Sequence, residues 1–302
     1  METIYIAFAP LQGYTDAVYR RAHYRCFGGV DEYYTPFVRQ EDGAPRIKDL
    51  RDIDIERNEG IPTVPQVIAK DVDEFARLCD ALQELGWKRI DLNMGCPFPM
   101  QVKAGRGSGL LQYPDRVEAI ACEMQRRPDV CFSIKMRLGQ TNPEEGMTLL
   151  PIINEMPLTH VTLHPRLGKQ QYKGAVDMDS FIIFNEKCRH PMVYNGDITE
   201  VKATAIPKDV KGIMIGRGLL AKPWLLSDKD PKSALQDMHA EIYRYALKNL
   251  CGDSQILSRM HAFWEYMNVS LEKKQYKAVM KSTTLLRYDE AVAHCLSMLH
   301  VE

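Results

Sequence analysis

The 302-residue chain carries 39 Lys+Arg against 40 Asp+Glu, and 45% of it is hydrophobic. That length and balance suit a soluble protein with one large α/β core, and a net charge of -1 excludes a uniformly basic nucleic-acid binder while leaving local patches open. With no basic-then-apolar leader at Met1–Pro10 and no apolar run long enough for a bilayer, a soluble, unexported, cytoplasmic protein with no membrane contact is expected.

In chain order, β-type runs fall at Tyr5–Pro10, Glu32–Val38, Thr63–Ile68, Arg89–Met94, Phe132–Arg137, His160–His164, Met192–Asn195 and Gly212–Ile215. Helical patterns separate most of them. Val72–Leu85 is introduced by Asp71, ends at Gly86 and keeps Phe75, Leu78, Cys79, Leu82 and Leu85 on one face; Asp115–Arg126 and Glu144–Met156 look similar. Arg39–Gly60 is polar and charged and reads as a long irregular excursion. Eight strands alternating with helices predict a TIM (β/α)8 barrel over residues 1–229. From about Asp230 no strand pattern appears. Leu235, Met238 and Ile242, then Leu257, Met260, Phe263, Trp264 and Met267, then Cys295, Leu296 and Leu299 recur at helical spacing, so residues 230–302 are expected to form a small helical bundle.

A barrel of this kind works at the C-terminal ends of its strands. Those ends carry Gln12 and Gly13, Gln66, Asn93 with Gly95 and Cys96, Lys135 with Arg137, His164 with Arg166, Asn195 with Gly196 and Asp197, and Gly216 with Arg217. A polar or glycine-rich tip repeated on nearly every strand marks a site. YNGDI and MIGRG place glycine directly after the last two strands, where backbone N–H groups can approach an anion. Either turn alone reads as a tight βα connection; together, at the usual phosphate position of this fold, they point to phosphate, with Arg217 adding a charge-assisted bond.

Lys135 closes the apolar run CFSIKMR, so its ammonium needs an anionic partner or becomes a depressed-pKa amine. It could hold negative charge on a reduced flavin, form a Schiff base, or pair with a barrel carboxylate. Gln66 and Asn93 are neutral amides suited to a planar heterocycle. Cys96 sits in NMGCPFPMQVKAGRGSGLL beside Pro97 and Pro99. A thiol of pKa about 8.5 is mostly protonated at neutral pH, so it can act as a general acid without tuning. The other cysteines show no CxxC pair and no zinc spacing, so no metal is expected, and Cys79, Cys122, Cys131 and Cys188 read as buried small hydrophobes.

These motifs resemble the tRNA-dihydrouridine synthase family, flavin enzymes with an FMN-binding barrel and a C-terminal helical domain. The likeness is carried by APLQGYTD, PQV at Gln66, DLNMGCP, GRGSGLL, SIKMRLG, TLHPR, QYKGAVD, YNGDI and GIMIGRGLLAKPW, in the family's order across the barrel. It implies FMN reduced by a nicotinamide cofactor, NADPH, with hydride passing from flavin N5 to uracil C6 of a flipped-out uridine and Cys96 protonating C5. By position it assigns Pro10, Leu11, Gln12, Gln66, Lys135, His164, Asn195, Gly196, Asp197, Gly216 and Arg217 to the cofactor and Asn93 and Arg166 to the substrate. Leu11 and Gln12 stand where the family usually has Met and a small residue. Phe98, Pro99 and Met100 stand where lysines are common, and Pro165 follows His164 where Gly is usual.

Access to a stacked uracil requires flipping, and affinity for RNA comes largely from phosphate contacts. Lys273, Lys274, Lys277, Lys281 and Arg287, interleaved with Tyr276 and Tyr288, supply a basic run, and Lys103 and Arg106 flank the Cys96 loop. The C-terminal run reads equally as a tRNA contact or a solvated helix face. The tRNA partner follows from the resemblance; no obligate protein partner is evident. A flavin barrel acting on a free small molecule, of the dihydroorotate dehydrogenase or ene-reductase kind, a Schiff-base lyase using Lys135, and a silent RNA binder are the competing readings.

Overall fold

The computed structural model describes residues 4–200 and 206–299. The chain opens with β1 (Tyr5–Phe8), α1 (Ala17–Cys26) and β2 (Glu32–Tyr34). A hairpin β3 (Gln40–Glu41) and β4 (Ala44–Pro45) follows, with short helices α2 (Ile47–Asp52) and α3 (Ile55–Asn58). Then come β5 (Thr63–Val64), β6 (Gln66–Val67), α4 (Val72–Glu84), β7 (Arg89–Met94), α5 (Pro99–Lys103) and α6 (Pro114–Gln125). The barrel continues through β8 (Cys131–Gly139), α7 (Glu144–Glu155), β9 (Leu158–Leu167), α8 (Met178–Lys187), β10 (Met192–Tyr194) and β11 (Gly212–Ile215). Helices α9 (Arg217–Ala221), α10 (Pro231–Asn249), α11 (Asp253–Trp264), α12 (Lys273–Met280) and α13 (Leu285–Ser297) follow.

Nine strands form one parallel sheet in the order β5-β2-β1-β11-β10-β9-β8-β7-β6. Its two ends, β5 and β6, are separated only by Pro65. They are one strand whose ladder is interrupted where proline offers no N–H. Val38 bridges across to Val67, so the sheet meets itself and closes as the expected TIM barrel, with C-terminal helices after it. Counted this way the strands are the eight read from the sequence. β8 and β9 are longer than expected because both keep pairing past Arg137 and His164 to Gly139 and Leu167.

Two compact units can be distinguished. One holds the chain up to Pro10, Asp31–Asp197 and the stretch ending at Met214; the other holds Leu11–Val30, the stretch beginning at Ile198 and the chain from Ile215 onward. Inside the first, Ala7, Ala9, Tyr34, Val64, Val193 and Met214 pack as one apolar cluster. Strands β6–β9 instead turn polar side chains toward one another. Arg39–Gly60 is more ordered than its composition suggests. Asp42 and Gly43, both at positive φ (51° and 79°), make the two-residue turn of the β3–β4 hairpin, and Trp87 donates to the Ile53 carbonyl at 3.0 Å. The Asp-Gly pair was the available signal.

In the second unit, Trp264 Nε1 and His239 Nε2 meet the Tyr288 hydroxyl at 2.9 and 2.7 Å inside an aromatic core. Burial lowers the His239 pKa to about 4, so the imidazole is neutral. Tyr288 is therefore a core residue and no stacking platform; Trp264 and His239 consume its hydroxyl. Of the cysteines expected inside, Cys79 is buried, Cys188 is half-buried, and Cys122 and Cys131 are exposed. Cys122 lies off the Val117, Ile120, Ala121, Met124 face of α6, and Cys131 is the first residue of its strand. No helix among the described residues is long and apolar enough to cross a membrane.

Candidate active site

Parallel register sets the tips of β6 to β9 side by side: Gln66 opposite Asp91, Asn93 opposite Lys135, Lys135 opposite Thr162, and Arg137 opposite His164. Strand alternation puts Asp91 and Asn93 on one face of β7, and Ser133, Lys135 and Arg137 on one face of β8. Their hydrogen bonds run in one direction. Ser133 Oγ donates to Asp91 Oδ1 at 2.6 Å and Gln66 Nε2 to Asp91 Oδ2 at 2.7 Å. Asn93 Nδ2 donates to Gln66 Oε1 at 2.7 Å, and Asn93 Oδ1 accepts from the Gly95 and Cys96 amides at 3.0 and 2.8 Å.

An ionised carboxylate can only accept. Asp91 therefore forces Gln66 to present its nitrogen, which turns the Gln66 oxygen to Asn93 and the Asn93 oxygen to the Cys96 loop. What each amide keeps is one N–H, unpartnered among the described residues. His164 extends the pattern: its Nε2 lies 3.1 Å from Arg166 Nη1, a group that only donates, so Nε2 accepts and the ring proton sits on Nδ1. Thr162 is fully buried and its hydroxyl has no partner among the described residues. The tips thus offer donors almost exclusively, which suits a planar ligand rich in C=O and ring-nitrogen acceptors.

Lys135 adds a cation. It is half-buried, and no hydrogen bond or ion pair engages it among the described residues. Burial, reinforced by the Arg137 guanidinium and opposed by Asp91, lowers its pKa to about 8. Asp91 is pushed up to about 6 by burial, against the hydrogen bonds from Ser133 and Gln66. Asp91, Ser133 and Thr162 were missed in the sequence. Asp91 was findable, as a carboxylate between Ile90 and Leu92 two residues before Asn93.

Cys96 follows β7. Burial raises its pKa, while a backbone hydrogen bond from Phe98 and the charges of Arg137 and Lys135 lower it; the net direction is up, so the thiol is protonated at neutral pH. The loop around it is rigidly tied. Ser108 gives both its amide and its hydroxyl to the Cys96 carbonyl, each at 3.0 Å. Gly107 is at φ +59° and a Cβ there would lie 2.6 Å from the Cys96 oxygen, so only glycine fits. Arg106 is bound through two nitrogens to Glu74 on α4, at 2.9 and 2.6 Å, with both side chains largely buried. The structure thus places Arg106 in a loop anchor, while Lys103 is exposed. Breaking a largely buried pair leaves one charge stranded, so Arg106→Ala is expected to cost about 3 kcal/mol, measured by urea unfolding.

Arg137 is buried and holds backbone: its Nε donates to the Gly95 carbonyl at 2.9 Å and its Nη1 to Leu167 and Gln171 at 3.0 and 2.7 Å. Arg166, also buried, is gripped by Asp197 through Nη1 and Nη2 and by the Gly174 carbonyl at 2.6 Å. Asn195 Nδ2 donates to the Met214 carbonyl at 2.7 Å, and a Cβ on Gly196 would come within 2.9 Å of Val176. Two expected ligand contacts, Arg166 and Asp197, are thus brought together as an ion pair.

The remaining expected residues lie in the second unit, apart from Pro10 at its border. The Leu11 amide donates to the Thr15 hydroxyl oxygen at 2.9 Å, and Gln12 is exposed beside Gly13 at φ +87°. Gly216 caps α9 and Arg217 begins it. Lys273, Lys274 and Lys277 are exposed on α12 and Lys281 is exposed at its end, opposite the buried Gln275 and Val279. No cluster of three or more His, Cys, Asp or Glu fit to hold a metal occurs among the described residues.

The sequence model of the family described as "Dihydrouridine synthase (Dus)" matches residues 7–296. The tRNA-dihydrouridine synthase B of Escherichia coli (strain K12) is 33% identical over 232 residues, 73% of this chain and 69% of that protein. That of Pasteurella multocida (strain Pm70) is 29% identical over 228 residues, 73% of this chain and 67% of that protein. A probable tRNA-dihydrouridine synthase of Rickettsia conorii (strain ATCC VR-613 / Malish 7) is 30% identical over 238 residues, 74% and 69% of the two chains.

Proposed function

Because this chain belongs to the dihydrouridine synthase family, we propose that it is a cytoplasmic tRNA-dihydrouridine synthase that reduces uridine in tRNA using FMN and NADPH. Family membership supports the reaction. The observation that carries the residue assignment is the one-way hydrogen-bond order of the strand tips, which ends on the amide of a protonated thiol.

Those tips fit a flavin. Gln66 and Asn93 keep unshared N–H groups, Lys135 is an unpaired cation among the described residues, and the Thr162 hydroxyl is buried without a partner there, a donor set matched to the carbonyls and ring nitrogens of an isoalloxazine. In this reading Gln66, Lys135 and His164 hold the ring, and Asn195, Gly196 and Asp197 border its ribityl chain. Pro10, Leu11, Gln12, Gly216 and Arg217 are assigned by the family likeness alone, the last two to the phosphate. FMN held there would supply the hydride, drawn from the nicotinamide cofactor, that C6 of the uracil accepts.

The chain's own residues do the rest. Lys135 holds negative charge on the ring, Asn93 and Arg166 border the uracil, and Cys96 Sγ gives its proton to C5. Residues 1–229 serve as the catalytic barrel and 230–302 as a tRNA-binding domain, with Lys273, Lys274, Lys277 and Lys281, joined by Lys103, as phosphate contacts, while Arg106, engaged by Glu74, holds the loop that presents Lys103. The test is purified protein with FMN, NADPH and unmodified tRNA: dihydrouridine is expected, and a protein that takes up no FMN and leaves every uridine intact would overturn the reading.

Two titrations bound the working range. The ordering carboxylate is lost as pH falls through the Asp91 pKa of about 6, and the ammonium is lost as pH rises through the Lys135 pKa of about 8. FMN affinity is therefore expected to be highest between these values and to decline on both sides, read by fluorescence titration across pH.

A further inference from the structure

Most of the Cys96 loop is fixed, but its tip is not covered. Phe98 and Met100 are 56% and 68% exposed, although both are large and apolar. Their base is rigid: Gln101 is buried, a Cβ on Gly109 would collide with the Val102 backbone, and Arg106 pins the following turn to α4. Pro97 and Pro99 on either side of Phe98 fix backbone φ, so little entropy is lost when the ring is used. The backbone of Phe98 itself bonds to Cys96. An exposed ring therefore starts on the very residue that touches the acid.

The charge around this tip names the kind of partner. Asp and Glu number 40 in the chain, yet none occurs from Leu92 to Pro114. Lys103 is exposed on α5, and the Arg116 guanidinium lies 4.2 Å over the ring of Tyr113, itself 42% exposed. Apolar and aromatic surface beside exposed cations, on a loop that carries no carboxylate of its own, fits stacked bases between phosphates and fits neither an uncharged lipid tail nor a basic-rimmed protein surface. The loop also keeps a buried acceptor, Gln101 Oε1, with no donor among the described residues.

We propose that Phe98 and Met100 form an apolar wedge that enters the base stack of the tRNA where the target uracil has left it. The proposal rests on the uridine-reducing function above. Extruding a base opens a gap in the stack, and a side chain that fills the gap offsets the unstacking. A flat ring on a proline-stiffened stem supplies the stacking face; an adaptable thioether beside it fills what remains.

The test is a cycle across the interface. The Phe98→Ser/Met100→Ser double variant and the parent are assayed on an unmodified tRNA transcript and on the same transcript with abasic residues flanking the uridine that mapping shows to be reduced. Stacking of one ring is a tenfold-scale effect, so kcat/KM on intact tRNA is expected to fall about 30-fold in the variant and less than about 3-fold on the abasic transcript. Phe98→Trp should keep the parent rate on intact tRNA. Equal losses on both transcripts, or no loss on either, would overturn the wedge. FMN affinity and Tm are followed in parallel; a variant whose loss tracks either of them counts against it. A parent that reduces neither transcript sinks the functional reading itself, which separates the two failures.

Discussion

Cys96→Ala is expected to leave FMN bound with unchanged affinity while lowering dihydrouridine formation about a thousandfold, since positioned proton transfer is worth roughly 10²–10⁴ in rate. The structure separates these two outcomes. Cys96 is tied to the strand tips and to Ser108 through its backbone: Asn93 Oδ1 holds its amide, and Ser108 holds its carbonyl. Neither of these anchors involves the sulfur, whose bond to the Phe98 backbone lies within the loop itself, so removing Sγ leaves both anchors and the strand tips in place. Burial keeps the thiol protonated, so what is lost is a proton donor and not a nucleophile. Cys96→Ser should recover little, because a serine hydroxyl is a far weaker acid. Quantifying dihydrouridine in tRNA under single-turnover conditions checks the first claim and flavin fluorescence the second; an alanine variant that turns over at the parent rate would remove Cys96 from the chemistry.

A second large effect is expected from reversing the hydrogen-bond order at its source. Asn93→Asp puts carboxylates on both sides of Gln66, whose amide has one donor end, so one carboxylate oxygen must face a carbonyl oxygen at about the 2.7 Å now spanned by each hydrogen bond. The variant is expected to loosen the Cys96 loop and to lose on the order of a hundredfold in activity. Adding Asp91→Asn should restore the loop. Gln66 can then turn over, donating to the carboxylate introduced at position 93 and accepting from the amide introduced at position 91. Ser133 still donates to the oxygen of that new amide. The measurement is Tm together with the alkylation rate of Cys96, followed by peptide mass mapping because Cys122, Cys131 and Cys251 are exposed. If direction matters, the double variant is better than Asn93→Asp alone. If Asp91 is only a space-filling polar group, the two losses add.

Much of this was legible in the chain itself. Eight β-type runs with helices between them pointed to the barrel, because a strand covered on both sides must alternate with its crossover helix. Asp71, read as the start of a helix, does cap α4, accepting the Glu74 amide. Gln66, Lys135 and Cys96 stood out because a polar group at the end of an apolar run has few reasons to be there. The partnerships were not legible. Arg106 and Arg166 carry the charge expected of ligand contacts, but each meets a carboxylate, Glu74 or Asp197, that lies 32 or 31 residues away along the chain. Only folding brings such pairs together. Asp91 escaped notice for a related reason: its importance lies in which atom it makes its neighbours present, a property of an assembled network.

The interruption at Pro65 has a consequence of its own. Gln66 is the next residue, its amide bonds to the Thr35 hydroxyl at 3.1 Å, and the Pro65 carbonyl receives the Asp91 amide at 3.0 Å. The clasp of the hoop and the first two members of the ordered amide chain are therefore the same few atoms. A lesion that slackens the clasp, even one far from Cys96, would be felt first as misdirected donors and only later as unfolding.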